Sequence, residues 1–254
     1  MELNAKSFGQ GPALIILHGL FGSLDNWVTH ARTLSADFTV IVPDQRNHGK
    51  SPHSDRWDYS AMADDLAAFM DKQGIFQAHI AGHSMGGKTA MQFAAEYPER
   101  IDRLIVADMA PKAYPPHHNA ILDTLNRVNL AHLQSRQEAE DALREGIPED
   151  SVRQFLLKSL GRSEDMRFQW KFNLEVITRN YENILAPIVL ETPFYRPTLF
   201  VSGGRSHYLQ PEDESLIRSY FPHVIFEKIP DAGHWLHADQ PEVFIRIVRN
   251  FLLS

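Results

Sequence analysis

The sequence predicts an α/β fold, a mainly parallel sheet flanked by helices and interrupted once by an inserted helical segment. Two observations carry this. Short apolar runs alternate with longer stretches of helical periodicity. The alternation stops between about Pro111 and Arg196 and then resumes. In chain order, Ala13 to Leu17 (ALIIL) reads as the first strand and Leu24 to Leu34 as a helix behind Ser23, a suitable N-cap. Phe38 to Val42 (FTVIV) is the next strand. Tyr59 to Gln73 is helical, with Met62, Leu66, Phe69 and Met70 at helical spacing. Ala78 to Ala81 (AHIA) leads into a helix over Met85 to Glu96 that stops before Pro98, and Leu104 to Ala107 (LIVA) follows. After the interruption come strands at Thr198 to Ser202 and Val224 to Ile229. Last is a helix over Pro241 to Leu253, with Pro in its first turn. The strand runs are continuous rather than alternating, as expected where both faces of a parallel sheet are covered.

The interruption offers helical patterns at Asn119 to Leu133, Ser135 to Gly146, Glu149 to Leu160 and Asn173 to Leu185, and no convincing strand. Prolines punctuate it at 111, 115, 116, 187, 193 and 197. Because the strand pattern resumes directly afterwards, the segment reads as a cap over the strand ends, with a separate helical domain as the alternative. The division expected is a core over 1–110 and 197–254 and a helical cap over 111–196.

Composition narrows the function. The chain has 254 residues, 43% hydrophobic and 22% charged, with a net charge of −7. These are globular values, and the acidic balance argues against a nucleic-acid partner. With no cysteine, disulfides and thiolate chemistry are excluded, and a zinc site would have to use histidine and carboxylates alone. No apolar run approaches the roughly 18 residues of a membrane span, and the N-terminus has no basic flank leading into an apolar region. A cytoplasmic location without a membrane partner is the expectation.

The most informative segment is Gly82-His83-Ser84-Met85-Gly86, a G-x-S-x-G pentapeptide between a strand and an amphipathic helix. The motif alone is weak, and its context makes it strong. Such a turn is so tight that the residues two before and two after the serine must be small. It lifts the hydroxyl above the sheet at a helix N-terminus, where developing negative charge is favoured. A phosphate-binding loop is the other reading of a Gly-rich turn, but neither phosphate fingerprint occurs in that context. A serine nucleophile requires a base. Of 13 histidines, His234 in Pro230-Asp231-Ala232-Gly233-His234-Trp235 follows the last strand in a small loop, with His237 as competitor. The oxyanion hole needs two backbone N–H groups. Met85 follows the nucleophile, and the loop His18 to Ser23 offers Leu20, with Phe21 second.

HGLFGSLDNW, DQRNHGKS, GHSMGGK, QFLLKSL and AGHWLHA, spread over the whole chain, resemble the α/β-hydrolase superfamily and in wording the small bacterial esterases of the YbfF type. The resemblance implies the α/β-hydrolase fold with an eight-stranded core and a helical cap. It also implies no cofactor, and hydrolysis of carboxylic esters or acyl thioesters as small-molecule substrates.

The chain departs from the commonest superfamily pattern at the acid. The turn after Thr198 to Ser202 reads Gly203-Gly204-Arg205-Ser206-His207, which has no carboxylate, and Glu212 and Asp213 come late. Asp108 ends the strand after the nucleophile on the same sheet edge, and the YbfF-type resemblance matches it there. Asp44, in Asp44-Gln45-Arg46-Asn47-His48-Gly49, and Glu175 are rivals. The reading is then Ser84 as nucleophile, His234 as base and Asp108 as the carboxylate that orients it.

Motif position puts Trp235 against the substrate beside Leu20 and Met85, and Phe21 is a further candidate for the substrate-binding wall. Phe155, Trp170 and Tyr114 are aromatic candidates from the cap, and the apolar lining suits short to medium acyl chains. Lys88, Arg205 and Lys112 could steer an anionic substrate group, although solvated surface charge is the plainer reading. A C–C bond hydrolase, a lyase of menaquinone synthesis or a cofactor-free perhydrolase would use the same three side chains. A non-enzymatic binder on the same fold is the reading from another class. An aspartate nucleophile is disfavoured by Ser84. Oligomeric state is not legible.

Overall fold

A computed structural model describes residues 1–254. Nine strands form: β1 Ala5–Phe8, β2 Ala13–Leu17, β3 Thr39–Pro43, β4 Ala78–His83, β5 Ile101–Ala107, β6 Leu160–Arg162, β7 Phe168–Trp170, β8 Thr198–Gly203 and β9 Val224–Ile229. The helices are α1 Val28–Leu34, α2 Tyr59–Lys72, α3 Met85–Glu96, α4 Asn119–Arg127, α5 Arg136–Arg144, α6 Asp150–Lys158, α7 Leu174–Arg179, α8 Tyr181–Leu185, α9 Glu214–Tyr220, α10 Leu236–Asp239 and α11 Pro241–Leu253.

Seven strands make one sheet in the order β1-β3-β2-β4-β5-β8-β9, in which only β1 runs antiparallel. The fold is that of an α/β-hydrolase, with helices on both faces. Alternation along β2 divides the core. Ile15 and Leu17 join the apolar layer under α2 and α3, while Leu14 and Ile16 join the one under α1 and α11. β4 is central, and all six of its residues are buried. The parallel register brings the carboxyl ends of β2, β4, β5 and β8 to one edge, with Leu17 opposite Gly82 and His83 opposite Ala107. Ligands of open α/β sheets bind at that edge. No helix is long and apolar enough to cross a membrane.

Four expectations need correction. The main sheet has seven strands where the resemblance implied eight. The segment 111–196 is not helical throughout, since β6 and β7 pair antiparallel within it. Each is three residues long, too short for period-two alternation to register, and their turn is made by Met166 in the left-handed region at φ 62°. Helical patterns are also cut by local geometry. Leu24–Asn26 is a 3₁₀ turn before α1, α4 stops at Arg127 ahead of a 3₁₀ turn at Leu130–His132, and Asn180 separates α7 from α8. The edge strand β1 was absent from the expected set. It is only partly buried, so it lacks an apolar run.

Candidate active site

Two left-handed residues end the two central strands. Ser84 follows β4 with φ 55°, and Asp108 follows β5 with φ 50°; neither is glycine, and a non-glycine residue there is strained. Both are held by the sheet ladder carried one residue too far. Ser84 N–H donates to the Ala107 carbonyl at 3.1 Å and Asp108 N–H to the Val201 carbonyl at 2.8 Å. The turn at Ser84 is sterically closed to larger neighbours. A Cβ on Gly82 would stand 2.1 Å from the Gly86 carbonyl oxygen, and one on Gly86 would stand 2.3 Å from that of Leu17.

His234 lies in the loop between β9 and α10. Ser84 Oγ is 3.0 Å from His234 Nε2, and His234 Nδ1 is 2.7 Å from Asp108 Oδ2. The Asp108 side chain is fully buried, and the imidazole is 19% exposed. Gly203 N–H donates to Asp108 Oδ1 at 3.1 Å, and Ser206 Oγ–H donates to Oδ2. Ser206 therefore occupies the turn in which a carboxylate was sought, and it hydrogen-bonds to the carboxylate that sits one strand away.

Asp44 and Glu175 stand elsewhere. Asp44 accepts from Leu24 N–H at 2.7 Å, Asn4 Nδ2 at 2.7 Å and Lys50 N–H at 2.9 Å, and so ties its own loop to the N-terminal segment and to the turn at Leu24. Glu175 is an exposed side chain paired with Arg179. His237 lines the same cavity as Ser84, but its ring packs on Trp27 at 4.3 Å between centroids.

Buried imidazoles brace the site. His83 Nε2–H donates to the His234 carbonyl at 2.8 Å. Burial, and then the neighbouring His234, push the His83 pKa down to about 3. His48 Nδ1–H donates to the Arg46 carbonyl at 2.9 Å while Nε2 accepts from Phe21 N–H at 3.3 Å. Burial chiefly holds His48 near 3 as well. The Phe21 N–H is thus occupied, whereas Leu20 N–H has no hydrogen-bond partner in the chain. Met85 opens α3, so its N–H has no acceptor within the helix.

Ser84, Leu20, Phe21, His234 and Trp235 line a cavity of about 710 Å³, which Phe155, Ile147 and Val152 close from the segment between β5 and β8. Phe155 lies 5.3 Å from the Trp235 ring. Tyr114 and Met85 line a smaller neighbouring cavity instead. Trp170 is outside both and stacks on Phe172.

One of the three cationic candidates is not at the surface. Lys88 is no surface charge: it is 1% exposed, and its Nζ donates to the Ala186 carbonyl at 2.5 Å. Burial lowers its pKa to about 7. Lys112 pairs with Asp213 at 2.7 Å, and Arg205 donates to the Asp231 carbonyl at 2.7 Å.

Sequence reasoning missed Tyr208, whose ring stacks on His234 at 3.9 Å between centroids, and His118, which lines both cavities. Neither sits in a motif.

Comparison with known proteins identifies the family. The family model described as the alpha/beta hydrolase fold matches residues 12–167. Esterase YbfF of Escherichia coli (strain K12) is 38% identical over 258 residues, covering 99% of each chain. The sn-1-specific diacylglycerol lipase ABHD11 of Mus musculus is 38% identical over 249 residues, 95% of this chain and 81% of that one. Among solved structures, a marine microorganism esterase superposes with a TM-score of 0.96 at 42% identity, covering 99% of both chains. The chain belongs to the α/β-hydrolase family and, within it, to the YbfF type.

Proposed function

We propose that the protein is a serine hydrolase that cleaves carboxylic esters or acyl thioesters of short to medium acyl chain through an acyl-enzyme. The observation that carries this is the unbroken Asp108–His234–Ser84 line, with contacts of 2.7 and 3.0 Å, opening on a largely apolar cavity. YbfF is an esterase, ABHD11 a diacylglycerol lipase and the marine protein an esterase, which supports ester cleavage here.

In this reading Ser84 Oγ attacks the acyl carbonyl while His234 Nε2 takes the hydroxyl proton. Asp108 holds the imidazole with its proton on Nδ1 and stabilises the imidazolium. The Met85 and Leu20 N–H groups receive the tetrahedral oxyanion. Leu20 is favoured over Phe21 because the Phe21 N–H is already bound to His48. One such donor is worth about 10²–10³-fold in rate. The imidazolium then protonates the leaving oxygen or sulfur, and water repeats the cycle on the acyl-serine. Residues 111–196 act as a cap that covers the cavity and supplies Phe155, Ile147 and Val152 to its wall.

The test is turnover of p-nitrophenyl esters and acyl-CoA thioesters by the wild-type chain and by Ser84→Ala. Hydrolysis by the wild type, falling to background in the variant, is expected. A wild type inert on both classes, or a variant as active as the wild type, would sink the reading.

A further inference from the structure

The turn that offers the Leu20 N–H to an oxyanion is not held by the core alone. Gly19, Leu20, Phe21 and Gly22 form a four-residue turn closed by Gly22 N–H donating to the Gly19 carbonyl at 3.1 Å. Its third residue, Phe21, lies in the left-handed region at φ 61°, while Leu20 does not. A turn of that kind ordinarily has glycine or asparagine at its third position. A phenylalanine there is strained and stays only where its surroundings hold it.

Two side chains hold it, one on each flanking peptide. His48 Nε2 accepts from Phe21 N–H at 3.3 Å on the core side. On the other side Ser159 Oγ–H donates to the Phe21 carbonyl at 2.6 Å, across 138 residues of sequence. No backbone N–H donates to that carbonyl, and Phe21 is buried. Loss of the hydroxyl would leave a buried acceptor unpaired.

Ser159 is itself fixed. It caps the C-terminus of α6, with its N–H donating to the Leu156 carbonyl at 2.9 Å and its carbonyl accepting from Lys171 N–H at 2.8 Å. The residue is buried, so its hydroxyl has little freedom to turn to solvent. The same helix gives Val152, Phe155 and Leu156 to the wall of the large cavity. The stretch QFLLKSL thus places an apolar side chain on the cavity and, one turn further on, a hydroxyl on the oxyanion loop.

We propose that Ser159 is a positioning residue of the reaction: by holding the Phe21 carbonyl it keeps the strained turn in the shape that aims the Leu20 N–H at the oxyanion. The hole is therefore completed from the segment 111–196. Ser159 lines neither cavity that borders Ser84, so it acts through the turn and touches no reacting atom. Its contribution falls on the state in which negative charge sits on the substrate oxygen. This rests on the serine-hydrolase reading above and adds a residue to it.

The test compares the whole protein with Ser159→Ala in p-nitrophenyl acetate turnover and in inhibition by a short alkyl trifluoromethyl ketone. Ser84 Oγ adds to the ketone carbon, the carbonyl electron pair moves to its oxygen and the serine proton passes to His234. The adduct therefore carries an oxyanion where the reaction does. A whole donor is worth about 10²–10³-fold, and a misaimed one should cost about 10-fold or more in kcat. KM should change by less than about threefold, because the loss falls on the transition state. The inhibition constant of the ketone should rise about as much as kcat/KM falls, and it does not depend on the fraction of enzyme that is folded. An unchanged kcat, or a lowered kcat with an unchanged inhibition constant, would overturn the role of Ser159 while leaving the hydrolase intact. No turnover by the wild type would overturn both. Ser159→Cys, which keeps the side chain's shape and offers only a weak S–H donor, should give the same pair of changes and serves if the alanine variant does not fold.

Discussion

Replacing Asp108 by Asn probes the least conventional feature of the site, a carboxylate that follows β5 instead of β8. The two side chains are nearly isosteric, so the outcome turns on hydrogen-bond polarity. Asp108 Oδ1 accepts from Gly203 N–H at 3.1 Å, a backbone donor that cannot reverse. Asn would therefore keep its oxygen on that side and turn its NH₂ toward His234 Nδ1, now 2.7 Å from Oδ2. An NH₂ group facing Nδ1 requires the ring to carry its proton on Nε2, pointing at Ser84, and such an imidazole cannot accept the serine proton. The Ser206 hydroxyl can rotate to accept from the same NH₂, which secures the wrong arrangement. In serine proteases the corresponding loss is about 10⁴-fold, and the expected range here is about 10²–10⁴ in kcat, or roughly 3–5 kcal/mol of barrier. The assay is p-nitrophenyl acetate hydrolysis at pH 8, with circular dichroism and a thermal melt to establish that the fold is kept. A folded variant retaining more than about a tenth of wild-type kcat would refute the role given to Asp108.

Two further predictions concern stability. Burial lowers Lys88 to about 7 in the folded chain, while in the unfolded chain it titrates near its ordinary value of about 10.4. The unfolded state thus binds more protons between these values, and stability rises with pH through that window. Wild type should gain about 2 kcal/mol relative to Lys88→Met between pH 7 and 9, measured by urea unfolding, and parallel profiles would contradict this. His48 and His83 are held near 3 against about 6.5 when unfolded. Here the unfolded state takes up protons as pH falls below 6.5, so each should remove about 2 kcal/mol between pH 7 and 5. His48→Gln should flatten the stability profile by about one proton over that range, and a wild-type midpoint that does not move with pH would contradict it.

Much of this site is legible in the sequence because its geometry depends on steric and topological rules local to a few residues. Gly82 and Gly86 mark the turn at Ser84 because any Cβ there collides with backbone, and that requirement is visible in the letters. The carboxyl ends of parallel strands share one edge, so Asp108 after β5 and His234 after β9 converge without further information. The cavity walls are not legible in this way. Lys88 lies one turn beyond Ser84 on α3, and it is buried by Tyr59, Tyr114 and the end of α8, which are distant in sequence. Tyr208 reaches the His234 ring through the packing of a loop that has no motif. The β6–β7 hairpin is too short for period-two patterning, and Asn180 and Trp27 break helices whose apolar spacing continues across the break. Ser206 was read as the absence of an acid, yet it is a donor to the acid one strand away, a relationship that only tertiary structure establishes.

The central claim is that Ser84 is the nucleophile, activated by His234. Its most direct measurement is covalent capture: the protein is treated with a fluorophosphonate, and its mass and the modified residue are read by mass spectrometry. One adduct per chain, on the peptide containing Ser84, is predicted for the wild type and none for Ser84→Ala, with strongly slowed labelling in Asp108→Asn. An unmodified Ser84, or equal labelling of the Ser84→Ala chain, would contradict the account.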